Sequence, residues 1–71
     1  MENELLKFIR VTRGLSQTEF AREIGVSRAL ISHIETGIKR VTPKTVQKVK
    51  QAFNLSGDDI KAYREFLDGV K

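Results

Sequence analysis

The 71-residue sequence contains no cysteine and no tryptophan, and it has one proline and one histidine. Without cysteine the chain can form neither a disulfide nor a thiolate zinc site, an absence that fits a reducing cytoplasm. A single histidine builds a metal site only with several carboxylates spaced around it, and no such spacing occurs. We therefore expect no metal and no cofactor.

Long apolar runs are also absent, since no run approaches the roughly 20 residues that span a membrane. The N-terminal sequence MENELLKFIR is too acidic, and too short in apolar residues, for a signal peptide. These features predict a soluble intracellular domain with no membrane partner.

The signatures of catalysis are missing as well. The sequence has no carboxylate pair in a cleft-forming context, no nucleophile with a neighbouring base and no glycine-rich phosphate loop. Asp58 and Asp59 are adjacent, and we interpret them as favourable charges at the start of a helix. We expect no enzymatic activity and no catalytic residue.

The charge that is present is unevenly distributed. The net charge is +4, but residues 10–50 carry nine Lys and Arg against three Asp and Glu, whereas the two ends are mildly acidic. A basic centre indicates a polyanionic partner such as nucleic acid. The alternative is a solvated, mixed surface of the kind common in small proteins.

Capping signals and apolar spacing divide the chain into five helices in a single domain, residues 1–71. Ser16-Gln17-Thr18-Glu19 forms a capping box, and Thr42-Pro43 is another helix start. Gly25 supplies the positive φ that a tight turn between two helices often needs. No segment alternates as a strand would, so the predicted fold is all-α. The predicted helices span residues 3–13, 16–24, 27–36, 43–53 and 56–69.

The third predicted helix has two unlike sides. At about 100° per residue, Leu30, Ile31 and Ile34 share a core-facing side. The opposite side carries Arg28, Ala29, Ser32 and His33. A low-relief face of this kind can enter the DNA major groove, which is about 12 Å wide. There arginine suits guanine, serine and histidine can bond to base edges, and an alanine methyl can contact a thymine methyl.

Two neighbouring segments are suited to DNA phosphates. The start of the second helix can direct N–H groups at a phosphate, and the basic stretch of residues 37–44 can contact the backbone. The residues predicted to contact phosphate are Ser16, Gln17, Thr18, Arg13, Lys39, Arg40, Thr42 and Lys44. The alternative for the basic stretch is a solvated charge run.

These motifs resemble the Xre/Cro-type helix-turn-helix repressors of phages and bacteria. The resemblance covers about residues 5–60 and rests on the following residues: Leu15-Ser16-Gln17-x-Glu19-Phe20-Ala21, Ile24-Gly25-Val26-Ser27, Ile31-x-x-Ile34-Glu35-x-Gly37, Pro43, Val46, Phe53-Asn54-Leu55 and Asp58. It implies a compact five-helix domain of the lambda-repressor-like DNA-binding type, in which helices 2 and 3 form the helix-turn-helix. It also implies binding of double-stranded operator DNA as a homodimer, in the cytoplasm of a bacterial or phage-infected cell and in association with the nucleoid.

The resemblance further implies individual roles. Gln17 would contact a phosphate, and Arg10 would form a structural ion pair with Glu35. The residues implied to face bases or the adjacent backbone are Ser27, Arg28, Ala29, Ser32 and His33. Residues 61–71 depart from the family pattern, which leaves the mode of dimerisation open. Our hypothesis is a weak dimer surface formed by Tyr63, Phe66 and Val70.

Two functions remain from this reasoning. The first is sequence-specific DNA binding by a transcriptional regulator, chiefly a repressor on a palindromic operator, although activation would use the same contacts. The second is a protein-interaction module on the same fold, antitoxin-like or an adaptor. The outer face of the third helix is neither apolar nor acidic, which favours DNA. The fifth helix could still bind a protein partner while the third binds DNA.

Overall fold

A computed structural model describes residues 1–70, which form five α-helices and no strand. The helices are α1 (Asn3–Thr12), α2 (Gln17–Ile24), α3 (Arg28–Glu35), α4 (Pro43–Phe53) and α5 (Gly57–Gly69). This is the compact, all-α, lambda-repressor-like fold that the sequence predicted. No helix in the described part of the chain is long and apolar enough to cross a membrane.

Hydroxyl side chains cap the starts of α2, α3, α4 and α5, and the caps explain small differences from the predicted helix bounds. Ser16, Ser27 and Ser56 each accept a hydrogen bond from the backbone N–H three residues later. Their own backbones are extended, so they precede the helices instead of opening them. At the other end, Arg13 and Thr36 are the C-caps of α1 and α3. The approximate predicted ranges therefore differ from the observed helices by one residue at these five positions.

The turn between α2 and α3 depends on Gly25. This glycine has φ +74° and ends α2, where a side chain would strain the backbone. Val26 N–H then donates to the Ala21 carbonyl, 3.0 Å away, which closes the last turn. Ser27 follows as the N-cap of α3, so the two helices are joined by a turn of only three residues.

The core lies where α2 packs on α3 and α4, and α1 packs on α3 and α5. Its buried apolar residues are Leu5, Leu6, Ile9, Phe20, Ala21, Ile24, Ile31, Ile34, Val41, Val49, Ile60 and Leu67. Helix α3 contributes Ile31 and Ile34, both with no exposed surface. Since α3 is held by its apolar side against α1 and α2, its other side is left for contacts outside the domain.

Candidate nucleic-acid interface

The outward side of α3 is polar and most open at its N-terminal end. Ser27, Arg28 and Ala29 are exposed, whereas Ser32 and His33 are half-buried. The Ser27 hydroxyl accepts from Leu30 N–H at 3.1 Å, so it caps the helix. The Arg28 side chain has no partner among residues 1–70, and its guanidinium donors are free for a ligand.

The segment after α3 folds back onto the last turn of that helix. The His33 carbonyl accepts from Ile38 N–H at 2.8 Å and from Lys39 N–H at 3.1 Å. The Thr36 hydroxyl donates to the Ser32 carbonyl at 3.0 Å. These bonds place the chain beside Ser32 and His33, whose side chains are partly exposed. The helical wheel did not predict the partial burial of these two side chains, because it considers one helix alone.

The start of α2 offers backbone donors. Ser16 Oγ accepts from Glu19 N–H at 3.0 Å, and Glu19 Oε1 accepts from Ser16 N–H at 2.9 Å. The bond from the Ser16 backbone is the main reason that the pKa of Glu19 is lowered. The N–H groups of Gln17 and Thr18 have no acceptor within residues 1–70. They lie at the positive end of the helix dipole, where an anion is favoured.

Arg10 joins three parts of the helix-turn-helix framework. Its Nε lies 2.6 Å from Glu35 Oε2, its Nη2 lies 2.9 Å from Glu35 Oε1, and its Nη1 donates to the Leu15 carbonyl at 2.8 Å. Gln17 Nε2 also donates to Glu35 Oε1, at 3.2 Å. The end of α3 is thereby bonded to α1 and to the first residue of α2. No pattern in the sequence indicated the contact between Gln17 and Glu35.

Glu35 remains ionised in this setting. Burial on its own would raise its pKa, but the hydrogen bonds from Arg10 and Gln17, with the charges of Arg10 and Lys7, outweigh burial and lower it. The side chains of Arg10 and Glu35 are 14% and 5% exposed. Both charges are therefore engaged with each other and not directed outward.

The basic loop, defined here as residues 37–40, is exposed and ends close to the N-terminus of α4. Lys39, Arg40 and Lys44 are exposed, while the Thr42 hydroxyl accepts from Thr45 N–H at 3.2 Å as the α4 cap. The Lys39 carbonyl accepts from Asn3 Nδ2 at 2.9 Å. No pattern in the sequence indicated a role for Asn3.

Arg13 is placed differently from the loop cations. Its Cζ lies 4.4 Å from the centroid of the Phe53 ring, a cation–π contact, and Phe53 stacks on Phe20 with centroids 5.6 Å apart. The residue is exposed overall, so the guanidinium edge stays accessible. Its stacking on α4 was not visible from the spacing of charged residues.

A second exposed surface lies on α1 and α5, and we call it the α1/α5 face. Phe8 stacks on Phe66 with centroids 5.8 Å apart and meets Tyr63 edge-on at 6.3 Å. Phe66 is 66% exposed, Val70 64% and Val11 55%. Phe8, Tyr63 and Phe66 also line an open groove of about 510 Å³. Phe8 and Val11 thus extend the surface beyond the three residues of the predicted dimer surface, Tyr63, Phe66 and Val70.

Within residues 1–70, no three acidic, histidine or cysteine side chains are grouped so that they could hold a metal ion. The surface formed by α2, α3 and the basic loop presents the N–H groups at the start of α2, the Arg28 guanidinium and the exposed side chains of Lys39 and Arg40. They suit an anionic polymer.

Comparison with known proteins decides the family. A family model described as helix-turn-helix matches residues 6–65, which include all of α2, α3 and α4. The chain belongs to the helix-turn-helix family of the Xre/Cro type. The chain thus carries the motif of a family of DNA-binding regulators, with α2 and α3 as the two helices of that motif.

One relative is similar over most of the chain. Antitoxin PezA of Streptococcus pneumoniae serotype 4 (strain ATCC BAA-334 / TIGR4) is 36% identical over 66 residues, which are 93% of this chain and 42% of that protein. The helix-turn-helix chain therefore spans less than half the length of this relative. No solved structure matches the helix-turn-helix chain significantly.

Proposed function

We propose that this domain binds a specific double-stranded DNA sequence as a transcriptional regulator, chiefly as a repressor that occupies a palindromic operator. One observation carries the proposal: α3 buries Ile31 and Ile34 completely and turns an unpartnered Arg28 outward at its exposed N-terminal end. A helix with this division can enter the major groove and bring an arginine to guanine O6 and N7.

Base contacts would be made from α3. Arg28 is the principal reader, and Ala29 beside it is small enough to let the helix approach closely. Ser32 and His33 are half-buried, and in this proposal their side chains reach the base edges or the adjacent backbone. Ser27 combines its role as a cap with a contact to the sugar-phosphate backbone or a base edge.

Phosphate contacts would flank α3 on both sides. On one side are the free N–H groups of Gln17 and Thr18 with the Ser16 hydroxyl. On the other side are the exposed side chains of Lys39, Arg40 and Lys44, together with Thr42 at the α4 cap. Arg13 adds a cation held against Phe53. Such contacts fix the orientation of the domain and carry no sequence information.

The proposal includes a homodimer on DNA. A palindromic operator presents two half-sites about 34–36 Å apart, which a two-fold dimer matches. The α1/α5 face supports this, because three of its apolar side chains, Val11, Phe66 and Val70, are more than half exposed. Tyr63 contributes through its contact with Phe8. The regulator would act on the nucleoid of a bacterial or phage-infected cell.

A second candidate function is binding of a protein partner through the same face. Its support is the similarity to a protein named as an antitoxin, together with the apolar surface around Phe66. In this alternative, DNA binding is secondary and α5 provides the partner contact. The two functions use different surfaces, so one chain can carry both.

The test is selection of bound duplexes from a random DNA pool. An enriched pseudo-palindrome with two half-sites about one helical turn apart is the expected result. An enriched single half-site would keep the base-reading role and contradict the dimer. A pool without enrichment, bound only weakly and in a salt-sensitive way, would contradict sequence-specific binding and favour the protein partner.

A further inference from the structure

The basic loop is anchored at Lys39 from two sides. Lys39 N–H donates to the His33 carbonyl in the last turn of α3, at 3.1 Å. The Lys39 carbonyl accepts from the side-chain amide of Asn3, at 2.9 Å. Asn3 is the first residue of α1 and lies 36 positions earlier in the chain. The backbone of Lys39 therefore connects the start of α1 with the end of α3.

The bond from Asn3 holds the peptide unit that joins Lys39 to Arg40. The Lys39 carbonyl and the Arg40 N–H belong to one planar peptide unit. No other hydrogen bond within residues 1–70 holds this unit, and the next anchored residue is Val41, which is buried in the core. Without Asn3, the peptide could rotate between these anchors, and the side chains of Lys39 and Arg40 would leave the backbone in several directions.

We propose that Asn3 is a positioning residue for DNA binding. By holding the peptide between Lys39 and Arg40, it keeps both cations in register with α3, so that they meet phosphates while Arg28 meets bases. A loop ordered in advance avoids the conformational entropy that would otherwise be lost on binding. This inference rests on the proposed phosphate role of the basic loop. Asn3 acts through Lys39 and need not touch DNA.

The first measurement is the affinity of Asn3→Ala for the selected duplex. Alanine is a better helix former than asparagine, so α1 is preserved. We expect the affinity to fall roughly two- to tenfold, which corresponds to the net contribution of one hydrogen bond. A scrambled duplex should lose the same factor, because phosphate contacts are independent of sequence. Gln51→Ala removes an exposed, neutral side chain from α4 and is the matched control, with no change expected.

A double-mutant cycle separates positioning from a general structural effect. In a Lys39→Ala/Arg40→Ala background, adding Asn3→Ala should cause no further loss, because the cations it orients are gone. An equal loss in both backgrounds would overturn the inference. The inference would also be overturned if Asn3→Ala bound DNA with unchanged affinity while Lys39→Ala/Arg40→Ala bound more weakly. The proposed function would still stand in that case. If Lys39→Ala/Arg40→Ala binds as tightly as the wild type, the phosphate role of the loop is wrong and the inference falls with it.

Discussion

Arg10 and Glu35 form a two-pronged ion pair, with Nε 2.6 Å from Oε2 and Nη2 2.9 Å from Oε1. The pair joins α1 to the last residue of α3, and a third donor of Arg10 reaches the Leu15 carbonyl just before α2. A bidentate pair fixes angle as well as distance. Arg10 therefore helps to hold α3 in its orientation relative to α1 and α2, together with the buried side chains of Ile31 and Ile34.

Removing one member of this pair should destabilise the domain strongly. Arg10→Ala leaves Glu35 buried without its cation, and we expect a loss of about 3–5 kcal/mol in the free energy of unfolding. The control is Arg64→Ala, which breaks the exposed pair with Glu2 at 3.3 Å and should cost at most about 1 kcal/mol. Urea denaturation measures both. Equal losses for the two variants would contradict the structural role of Arg10.

Acid should lower the stability of the domain, because three carboxyl groups have lowered pKa values in the folded state. The pKa of Glu35, Glu19 and Asp59 lies below the usual value in each case. A carboxyl with a lowered pKa in the folded state stabilises the fold above its unfolded pKa, and that stabilisation is lost as the pH falls through the folded value. Stability should therefore decline below about pH 4.5, the ordinary pKa of glutamate. NMR titration of the Glu35 carboxyl is the direct check, and a pKa at or above 4.5 would refute the account.

A loop cation should contribute to affinity but not to sequence preference. Lys39→Ala removes one phosphate contact, so it should weaken binding to all duplexes by a similar factor and lower the salt slope by about one. Lys61→Ala, an exposed cation on α5, should leave the slope unchanged. Titrations at several salt concentrations measure both. A loss confined to the selected duplex would instead mean that Lys39 reads bases.

The α1/α5 face should control self-association. Phe66→Ala removes the exposed ring that stacks on Phe8. Loss of a central aromatic side chain commonly weakens an interface by tenfold or more, so we expect the dimer dissociation constant to rise by about tenfold. Ile38→Ala is the control, because Ile38 is 70% exposed and lies outside this face. Sedimentation over a concentration series measures the constant. A wild-type chain that stays monomeric at high concentration would refute the dimer.

The parts of this fold that sequence predicts are those decided by neighbouring residues. Ser16 and Glu19 predict a helix start because both partners lie within one turn of the helix. Gly25 predicts the turn because few other residues adopt its positive φ. The buried side of α3 follows from the period of Ile31 and Ile34. The pairing of Arg10 with Glu35 came from the family resemblance and not from such local signals.

Contacts between distant segments could not be predicted in this way. The bond from Asn3 to Lys39 joins residues 36 positions apart, and the stacking of Arg13 on Phe53 depends on how α1 and α4 pack. The bonds from Ile38 and Lys39 to the His33 carbonyl likewise join the segment after α3 to the last turn of that helix. The first two contacts depend on the relative placement of helices, which the periodicity of any single helix leaves open.

The central claim is that α3 reads DNA sequence through Arg28. The most direct measurement compares the affinities of the wild type and Arg28→Ala for the selected duplex and for a scrambled duplex of equal length. A lost bidentate base contact corresponds to about 1–3 kcal/mol, so the ratio of the two affinities should fall by roughly five- to 150-fold. Affinity for the scrambled duplex should fall only by the contribution of one positive charge near the phosphates. A loss of equal size on both duplexes would contradict base reading by Arg28.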